Sequence, residues 1–568
     1  MKATGIRIIL FFTTIITLHS QTPKLQWVKQ IGGIYDDNAT SISVDNHGNT
    51  YIAGNFTGTT DFDPGSGIYN LDATHGNQAY ISELDKEGRF LWAIPIVGTD
   101  FTYANAIAMD GLNNVYVTGY FTGTTDFDPS IRSYNLTNEN SSNVSIFIAK
   151  YTNAGNLLWA KSIEGNKNGT MPNSLTVDRF GNACVVGNFQ GIVDFDPSDN
   201  VFNLTRFDGP DIFVLKLATD GTFIWVKQFM STGNPSKNSG NSIAVDTLGN
   251  IYTSGVYNST TDFDPGTKQY TLTFNGSASS FISKLDIEGN FVSVMGFHGL
   301  NFYKGKTLAV DESGNMYATG GFGGPAEFDP GPDTVILNTS GLEDVFVVKI
   351  DSAGKFNWAK RMGGSQTDYA TSIAIDRWGN VFTTGLFTGI ADFDPGPRIY
   401  TLTSTITTNV FISKLSTKGN FLWAAQLGES NISSIAFDPS GSIHIAGTIF
   451  GVGDFDPGKG ILYLASEGTS DIFVEEIQEV YVDTKEPVPG SPLSVYPNPT
   501  SHSLSVNFGK EILNGRIKLI NLYGQTMFEQ SNINGSSFTI DIADQPNGMY
   551  CIELNEGGIV QRVKVVKE

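Results

Sequence analysis

Four residues, Asp-Phe-Asp-Pro, recur along the chain at Asp61, Asp126, Asp194, Asp262, Asp392 and Asp454, with Glu327 opening one variant copy. Successive copies stand 65, 68, 68, 65, 65 and 62 residues apart, so seven units fill nearly everything before residue 480. Self-similarity at a fixed period of this size marks stacked or radially arranged units, each covering its apolar face with its neighbours. Such a chain escapes the size limit of a single-core domain, which makes 568 residues unremarkable in length. The period also sorts the residues. Whatever is identical in all seven units is scaffold by default, and whatever differs between them is where specificity can reside.

The unit around residue 372 sets the frame. Ser372-Ile373-Ala374-Ile375 alternates as a short strand, and Val381-Phe382-Thr383-Thr384-Gly385-Leu386-Phe387 is a second β-rich run. Asp-Arg-Trp-Gly-Asn links them as a hairpin turn in which Gly379 takes positive φ. Gly48, Gly181, Gly249, Gly314 and Gly441 hold that offset elsewhere, and Asn113, the next best residue for the left-handed region, stands in the second unit. Beyond the motif come Tyr400-Thr401-Leu402, a third strand at 410–415 and a fourth at 421–425. Four short antiparallel strands in meander order predict a propeller blade.

A Trp marks the fourth strand at Trp92, Trp159, Trp225, Trp358 and Trp423, with Ser293 replacing it once. The last unit ends after its third strand, residues 472–476, and lacks this Trp. The missing copy lies at the other end of the chain, in Leu25-Gln26-Trp27-Val28-Lys29. The N-terminal segment is therefore expected to supply the outer strand of the seventh blade and close the ring. Gly54, Gly119, Gly187, Gly255, Gly320, Gly385 and Gly447 form a second regularity, each nine residues after a first-strand Asp and seven before the motif. Glycine at a fixed place within a strand predicts close backbone approach.

Lys plus Arg number 35 against 57 Asp plus Glu, a net charge of −22. That surface repels nucleic acid and anionic membranes and attracts cations. At the N-terminus Lys2 and Arg7 precede an apolar run, residues 8–18, and Ser20 offers a cleavage site, so residues 1–20 read as an export signal. The run is too short to cross a membrane, and no other stretch approaches the necessary length. Cys184 and Cys551 are the only cysteines, far apart and in different expected domains, which excludes a disulfide framework. Cys184 sits in an apolar run and reads as a small buried hydrophobe.

Two sets of residues are candidates for chemistry. In an extended segment residues i and i+2 share a side, so the motif Phe turns inward while its two acids turn outward, a geometry suited to a hard cation. The metal candidates are thus Asp61, Asp63, Asp126, Asp128, Asp194, Asp196, Asp262, Asp264, Glu327, Asp329, Asp392, Asp394, Asp454 and Asp456, with calcium the cation such pairs would take. The competing reading is that each Asp caps a turn before Pro-Gly, and repetition in every unit favours that structural role. The second set lies in the non-repeating connections between units. Asp37, Tyr103, Asn166, Lys167, Asn238, Tyr303, Lys304, Asp368 and Glu429 are expected around the channel mouth, where polar and aromatic groups suit a glycan or protein ligand. The histidines show no metal-ligand spacing, and no nucleophile elbow or phosphate-binding loop is present. Unique carboxylates such as Glu164, Asp368 and Glu429 leave a glycosidase or lyase open.

The stretch Ser242-Ile243-Ala244-Val245-Asp246 through Gly255 resembles the β-propeller repeat family known as SBBP, and the resemblance extends over roughly residues 24–480. It implies a seven-bladed fold and little about activity, because propellers host many functions. Composition shifts at residues 483–492, a Pro-containing linker. Beyond it, Tyr496-Pro497-Asn498-Pro499, Asn521-Leu522-Tyr523-Gly524, Gly548-Met549-Tyr550 and the basic end Lys564-Val565-Val566-Lys567 resemble the Por-type (type A) sorting domain of type IX secretion cargo, a small β-sandwich of the Bacteroidetes. This resemblance implies export by the type IX machinery and release or attachment at the cell surface. The whole reads as an all-β protein: a signal peptide at 1–20, a seven-bladed propeller at 21–482 closed by its N-terminal strand, and a sorting sandwich at 493–568. The expected function is an exported binding module for a glycan or protein, with a polysaccharide-degrading enzyme or a structural surface protein as alternatives.

Overall fold

The computed structural model describes residues 20–138, 143–166, 169–233, 237–273, 279–299, 307–329, 334–404, 408–458, 460–482, 493–496, 500–521, 525–556 and 559–567. The expected signal segment before Ser20, Lys167, Tyr303, Lys304 and the linker 483–492 lie outside the described residues. Every regular element among those described is a β-strand. The chain divides into two compact units, one holding Pro23–Glu479 and the other Val480–Glu568 with the first residues of the chain.

In the larger unit each of the first six repeats is a four-stranded antiparallel meander, and the seventh supplies three such strands, Ser430–Phe437, Ile443–Ile449 and Asp471–Val482. In the sixth, Tyr369–Ile375, Val381–Phe387, Asn409–Leu415 and Phe421–Leu427 pair in that order. Gly379 has φ 78° and Asn113 φ 62°, the left-handed conformation that their turn demands. The Asp before the turn holds it: Asp376 Oδ1 accepts the Trp378 and Asn380 N–H groups at 2.9 and 2.8 Å. Six residues beyond that turn, Gly385 passes so close to the Tyr369 carbonyl and the Phe411 ring that a Cβ would collide with both. The recurrent glycine thus permits the close strand approach anticipated for it.

Sequence pattern alone gave no sign of a bulge in the first strand. Register slips between Ala39 and Ser41, Ala104 and Ala106, Pro172 and Ser174, Gly240 and Ser242, Ala370 and Ser372, and Ile432 and Ser434. A bulge re-aims the extra residue, and here that residue reaches the next repeat. Thr40 donates to the Ala104 carbonyl at 2.9 Å, Asn105 to Pro172 at 2.6 Å, Asn173 to Gly240 at 2.8 Å and Thr371 to Ile432 at 2.8 Å. Ser433 donates to Ala39 at 2.6 Å, which links the seventh repeat to the first.

The N-terminal strand Ser20–Gly33 lies between Asp471–Val482 and Thr50–Asp61 in one sheet. Its Trp27 Nε1 donates to the Lys86 carbonyl at 3.0 Å, at the third-to-fourth-strand turn of the first repeat. Trp92, Trp159 and Trp358 do the same to Asn153, Thr219 and Thr417 of their following repeats. Trp27 therefore makes the contact that a fourth-strand Trp of repeat seven would make.

One acid on the third strand of repeat seven has no counterpart elsewhere. Glu475 is fully buried with both carboxylate oxygens lacking hydrogen-bond partners, at a position that Ser82, Ser283 and Ser413 occupy in other repeats. Burial, with Asp456 and Asp454 nearby, holds its carboxyl well above the usual range. Burial likewise raises Asp37 to about 7 and Asp368 to about 6. An acid with a raised folded-state pKa keeps its proton in the native state where the unfolded chain has lost it, so stability falls as pH climbs past the unfolded value. The melting midpoint is expected to drop between about pH 4 and pH 7, and Glu475→Gln to raise it at pH 7 with the gain vanishing near pH 4. Parallel melts of both proteins across that range check this, and an equal gain at every pH would contradict it.

The smaller unit has a five-stranded sheet, Ser494–Tyr496, Ser503–Asn521, Gly548–Glu556 and Ile559–Lys567 in that order, with Thr526–Asp541 also pairing Ser503–Asn521. Leu504, Val506, Ile517, Leu519, Ile552 and Val565 form its own core. Lys567, from the basic end, is buried and donates to the Ala543 carbonyl at 2.7 Å and to Gln545. Both cysteines are free, and burial pushes the Cys184 thiol up to about 12.

Candidate binding site at the loop face

The recurrent motif forms a clasp between repeats. In the sixth repeat Ile390–Asp392 and Thr401–Thr403 make a two-stranded ribbon, and its edge pairs with the preceding fourth strand through Gly363 opposite Asp392. The same pairing sets Gly32 opposite Asp61, Val97 opposite Asp126, Glu164 opposite Asp194, Met230 opposite Asp262 and His298 opposite Glu327. In the seventh, Gly428 N–H donates to the Asp454 carbonyl at 2.7 Å. The connections between repeats therefore emerge beside the motif loops, at one end of the meanders.

Within each clasp the Phe faces inward and the acids hold the loop. All seven motif Phe rings are buried. Phe393 stands edge-on to Phe387 at 5.5 Å between centroids and tilts against Phe411 at 4.8 Å. Asp392 Oδ1 accepts the Asp394 and Tyr400 N–H groups at 3.1 and 2.8 Å, and Asp394 Oδ1 accepts from Gly396 at 2.7 Å. Asp61 with Asp63, Asp126 with Asp128, Asp194 with Asp196, Asp262 with Asp264 and Asp454 with Asp456 repeat this set. A calcium ion at these pairs would have to compete with backbone amides for an oxygen of each carboxylate.

Three residues expected at an open mouth turn out to be interior. Asp37 accepts from Gly33 N–H and the Thr60 hydroxyl, both at 2.7 Å. Asp368 accepts from Gly364 N–H at 2.6 Å and Thr388 N–H at 3.0 Å. Asn238 donates to the Ser231, Ser259 and Thr261 hydroxyls and accepts from Asn258 N–H at 2.9 Å. All three are buried. A short loop at a clasp leaves its own amide groups to be satisfied, and these side chains do so instead of facing solvent. Asn166 is exposed but ties the ribbon of the third repeat, its Oδ1 accepting Ile192 N–H at 2.8 Å.

Tyr103 and Glu429 do sit at accessible positions. Tyr103 is half-buried and lies directly opposite Tyr120, stacked at 5.1 Å with an interplanar angle of 19°, while Phe101 meets Tyr103 edge-on at 5.6 Å. Glu429 lines a pocket of about 440 Å³ with Tyr369, Asn431, Thr367 and the exposed Phe450. Sequence reasoning passed over Tyr120, which faces Tyr103, and Tyr369, which holds the register position of Tyr103 in its own repeat. The first-strand residue opposite the one after the recurrent glycine gives the pairs Asn38 and Asn55, Tyr103 and Tyr120, Met171 and Asn188, Ser239 and Val256, Tyr369 and Leu386, and Asn431 and Thr448. The signal was available: a position adjacent to an invariant glycine that is itself variable, held by Asn55, Tyr120, Asn188, Val256, Gly321, Leu386 and Thr448.

Comparison with known proteins accords with this architecture. The family described as "Beta-propeller repeat" matches residues 26–63, 224–264 and 357–389, so the first match includes the N-terminal strand. The family described as "Secretion system C-terminal sorting domain" matches residues 494–568. The chain carries SBBP β-propeller repeats followed by a type IX secretion sorting domain, a pairing that implies a Bacteroidetes origin. The sorting tail implies secretion and an extracellular or cell-surface location. An uncharacterized WD repeat-containing protein of Acanthamoeba polyphaga mimivirus is 23% identical over 502 residues, covering 74% of this chain, which spans only 36% of that relative's length. A Bacteroides thetaiotaomicron structural genomics protein of unknown function aligns over 78% of this chain and 100% of its own, at 11% identity and a TM-score of 0.25. So low a score supports no conclusion about fold. No helix among the described residues is long and apolar enough to cross a membrane.

Proposed function

We propose that this protein is a non-enzymatic seven-bladed propeller that binds a glycan at its loop face after cleavage of residues 1–20 and export. Ring closure by the N-terminal strand is supported by its neighbours Asp471–Val482 and Thr50–Asp61, by the Trp27 contact to Lys86 and by the Ser433 bond to Ala39. The observation that carries ligand binding is the variable cross-strand position, which sets Tyr103 and Tyr369 at the loop face, Tyr369 beside amides, hydroxyls and Glu429. Flat aromatic faces pack on the apolar face of a sugar ring while neighbouring polar groups meet its hydroxyls.

A polysaccharide-degrading alternative requires two carboxylates facing one cleft. Glu429 is the one acid among the described residues lining the pocket, and Asp368, which precedes the pocket residue Tyr369, is buried with each oxygen on a backbone N–H. The test is electrophoretic retardation of the full chain in gels cast with soluble polysaccharides. Tyr103→Ala and Tyr369→Ala are expected to weaken retention about tenfold, and Leu112→Ser, at a turn of the opposite end, to leave it unchanged. Retention equal in all four proteins would sink the assignment of the site.

A further inference from the structure

The geometry points to a divalent-metal site of the zinc type formed by Asp438, His444 and Glu476, at the junction of the seventh and first repeats. Their ligand atoms all lie within 4.8 Å of one another. His444 and Glu476 face each other directly across the strand pair Ile443–Ile449 and Asp471–Val482. His444 is fully buried, and its Nε2 has no hydrogen-bond partner, with Asp438 Oδ2 at 3.9 Å and beyond bonding reach. The other ring nitrogen is engaged: Nδ1 lies 2.9 Å from the hydroxyl of buried Thr50, on the first repeat. That is the second-shell arrangement that orients a ligating imidazole, with one nitrogen held and the other presented.

Repeats two to six supply the contrast. Where repeat seven has Glu476, repeats two to six carry a lysine, and three of these lysines pair with the turn Asp: Lys150 with Asp110 at 3.2 Å, Lys216 with Asp178 at 2.9 Å and Lys414 with Asp376 at 3.6 Å. Repeat seven replaces the ammonium by a carboxylate and the usual aromatic by His444, leaving two acids and an unsatisfied imidazole nitrogen around a position that holds positive charge in repeats two to six. Repeat one also carries an acid there, Glu83, but sets it opposite Tyr51 and satisfies it with the Asn49 amide at 2.9 Å. A buried polar atom without a partner is costly, and a metal cation would satisfy the imidazole nitrogen while drawing in Glu476 and the Oδ2 of Asp438, whose Oδ1 stays on the Ser442 N–H at 2.8 Å. One imidazole with two carboxylates suits zinc better than calcium, which favours an all-oxygen set. Zinc–ligand distances near 2.1 Å place donors about 3.4 Å apart, so small rotations of the half-buried Asp438 and Glu476 would close the set on the fixed ring. Asp438 also lines a pocket of about 580 Å³, which gives the ion a path from solvent. Because Thr50 orients the ring from the neighbouring repeat, occupancy would lock the seam between the seventh and first repeats.

The test uses the full chain, stripped with chelator and titrated with zinc chloride at pH 8. One zinc per chain and a melting midpoint raised by a few degrees are expected, since a ligand that binds the native state stabilises it by mass action. Glu476→Lys restores the cation that other repeats carry, and His444→Phe restores the Phe found at this position in repeat six. Both variants should fold, lose the bound equivalent and lose the zinc-dependent rise. An absence of zinc binding by the unaltered chain, or an equivalent retained by both variants, would overturn the assignment.

Discussion

Deleting residues 21–31 should lower the melting midpoint of the propeller by about 10 °C or abolish its cooperative melt. The segment carries buried Ile31, the Trp27 bond to Lys86 and the middle strand between Asp471–Val482 and Thr50–Asp61. Losing a Trp and an Ile from packed positions costs roughly 5–8 kcal/mol together. Two strand edges would also be opened, and each exposed edge is a site for association. Gln30 leaves as well, and with it the 2.6 Å donor to buried Asp471. All seven tryptophans lie in the larger unit, so the six that remain report on its unfolding without interference from the sorting domain. A melt unchanged by the deletion would mean that the N-terminal strand is not part of the ring.

The second large effect separates the two halves of the motif. Phe393→Ala is expected to cost about 3–5 kcal/mol, the range for deleting a buried ring, because the side chain is enclosed by Phe387 and Phe411. Asp394→Ala removes one partly exposed turn bond, to Gly396 N–H, and should cost about 1 kcal/mol. Urea unfolding followed by tryptophan fluorescence measures both. If the Asp change proved the larger in ordinary buffer, the acids would have a duty beyond closing their own loop.

These expectations rest on a fold that was largely legible in the chain, because repetition does the work of an alignment. Seven copies identify the turn glycines, the inward Phe and the fourth-strand Trp, and the absence of Trp from the last copy directs attention to Trp27. The bulged Thr40, Asn105, Asn173, Thr371 and Ser433 were hidden, since a bulge adds a residue without changing the polar and apolar alternation around it. The ribbon pairing to the preceding repeat was hidden too, because contacts of that kind depend on how neighbouring units pack.

The candidate site was less legible. Asp37, Asn238 and Asp368 look like solvent-facing loop residues in a chain of letters, yet short loops at a clasp draw such side chains inward to bond backbone amides. Tyr103 and Glu429 keep partly exposed positions, and Tyr369 drew attention only once the register was known. His444 shows no ligand spacing along the chain because its companions come from a turn and an adjacent strand.

The most direct measurement of the proposed function incubates the full chain with a panel of insoluble and soluble polysaccharides and records retained protein and released sugar in the same samples. Retention on at least one polysaccharide, lost with Tyr103→Ala, and no soluble product over prolonged incubation is the predicted result. Release of oligosaccharides, or retention that ignores Tyr103, would contradict it.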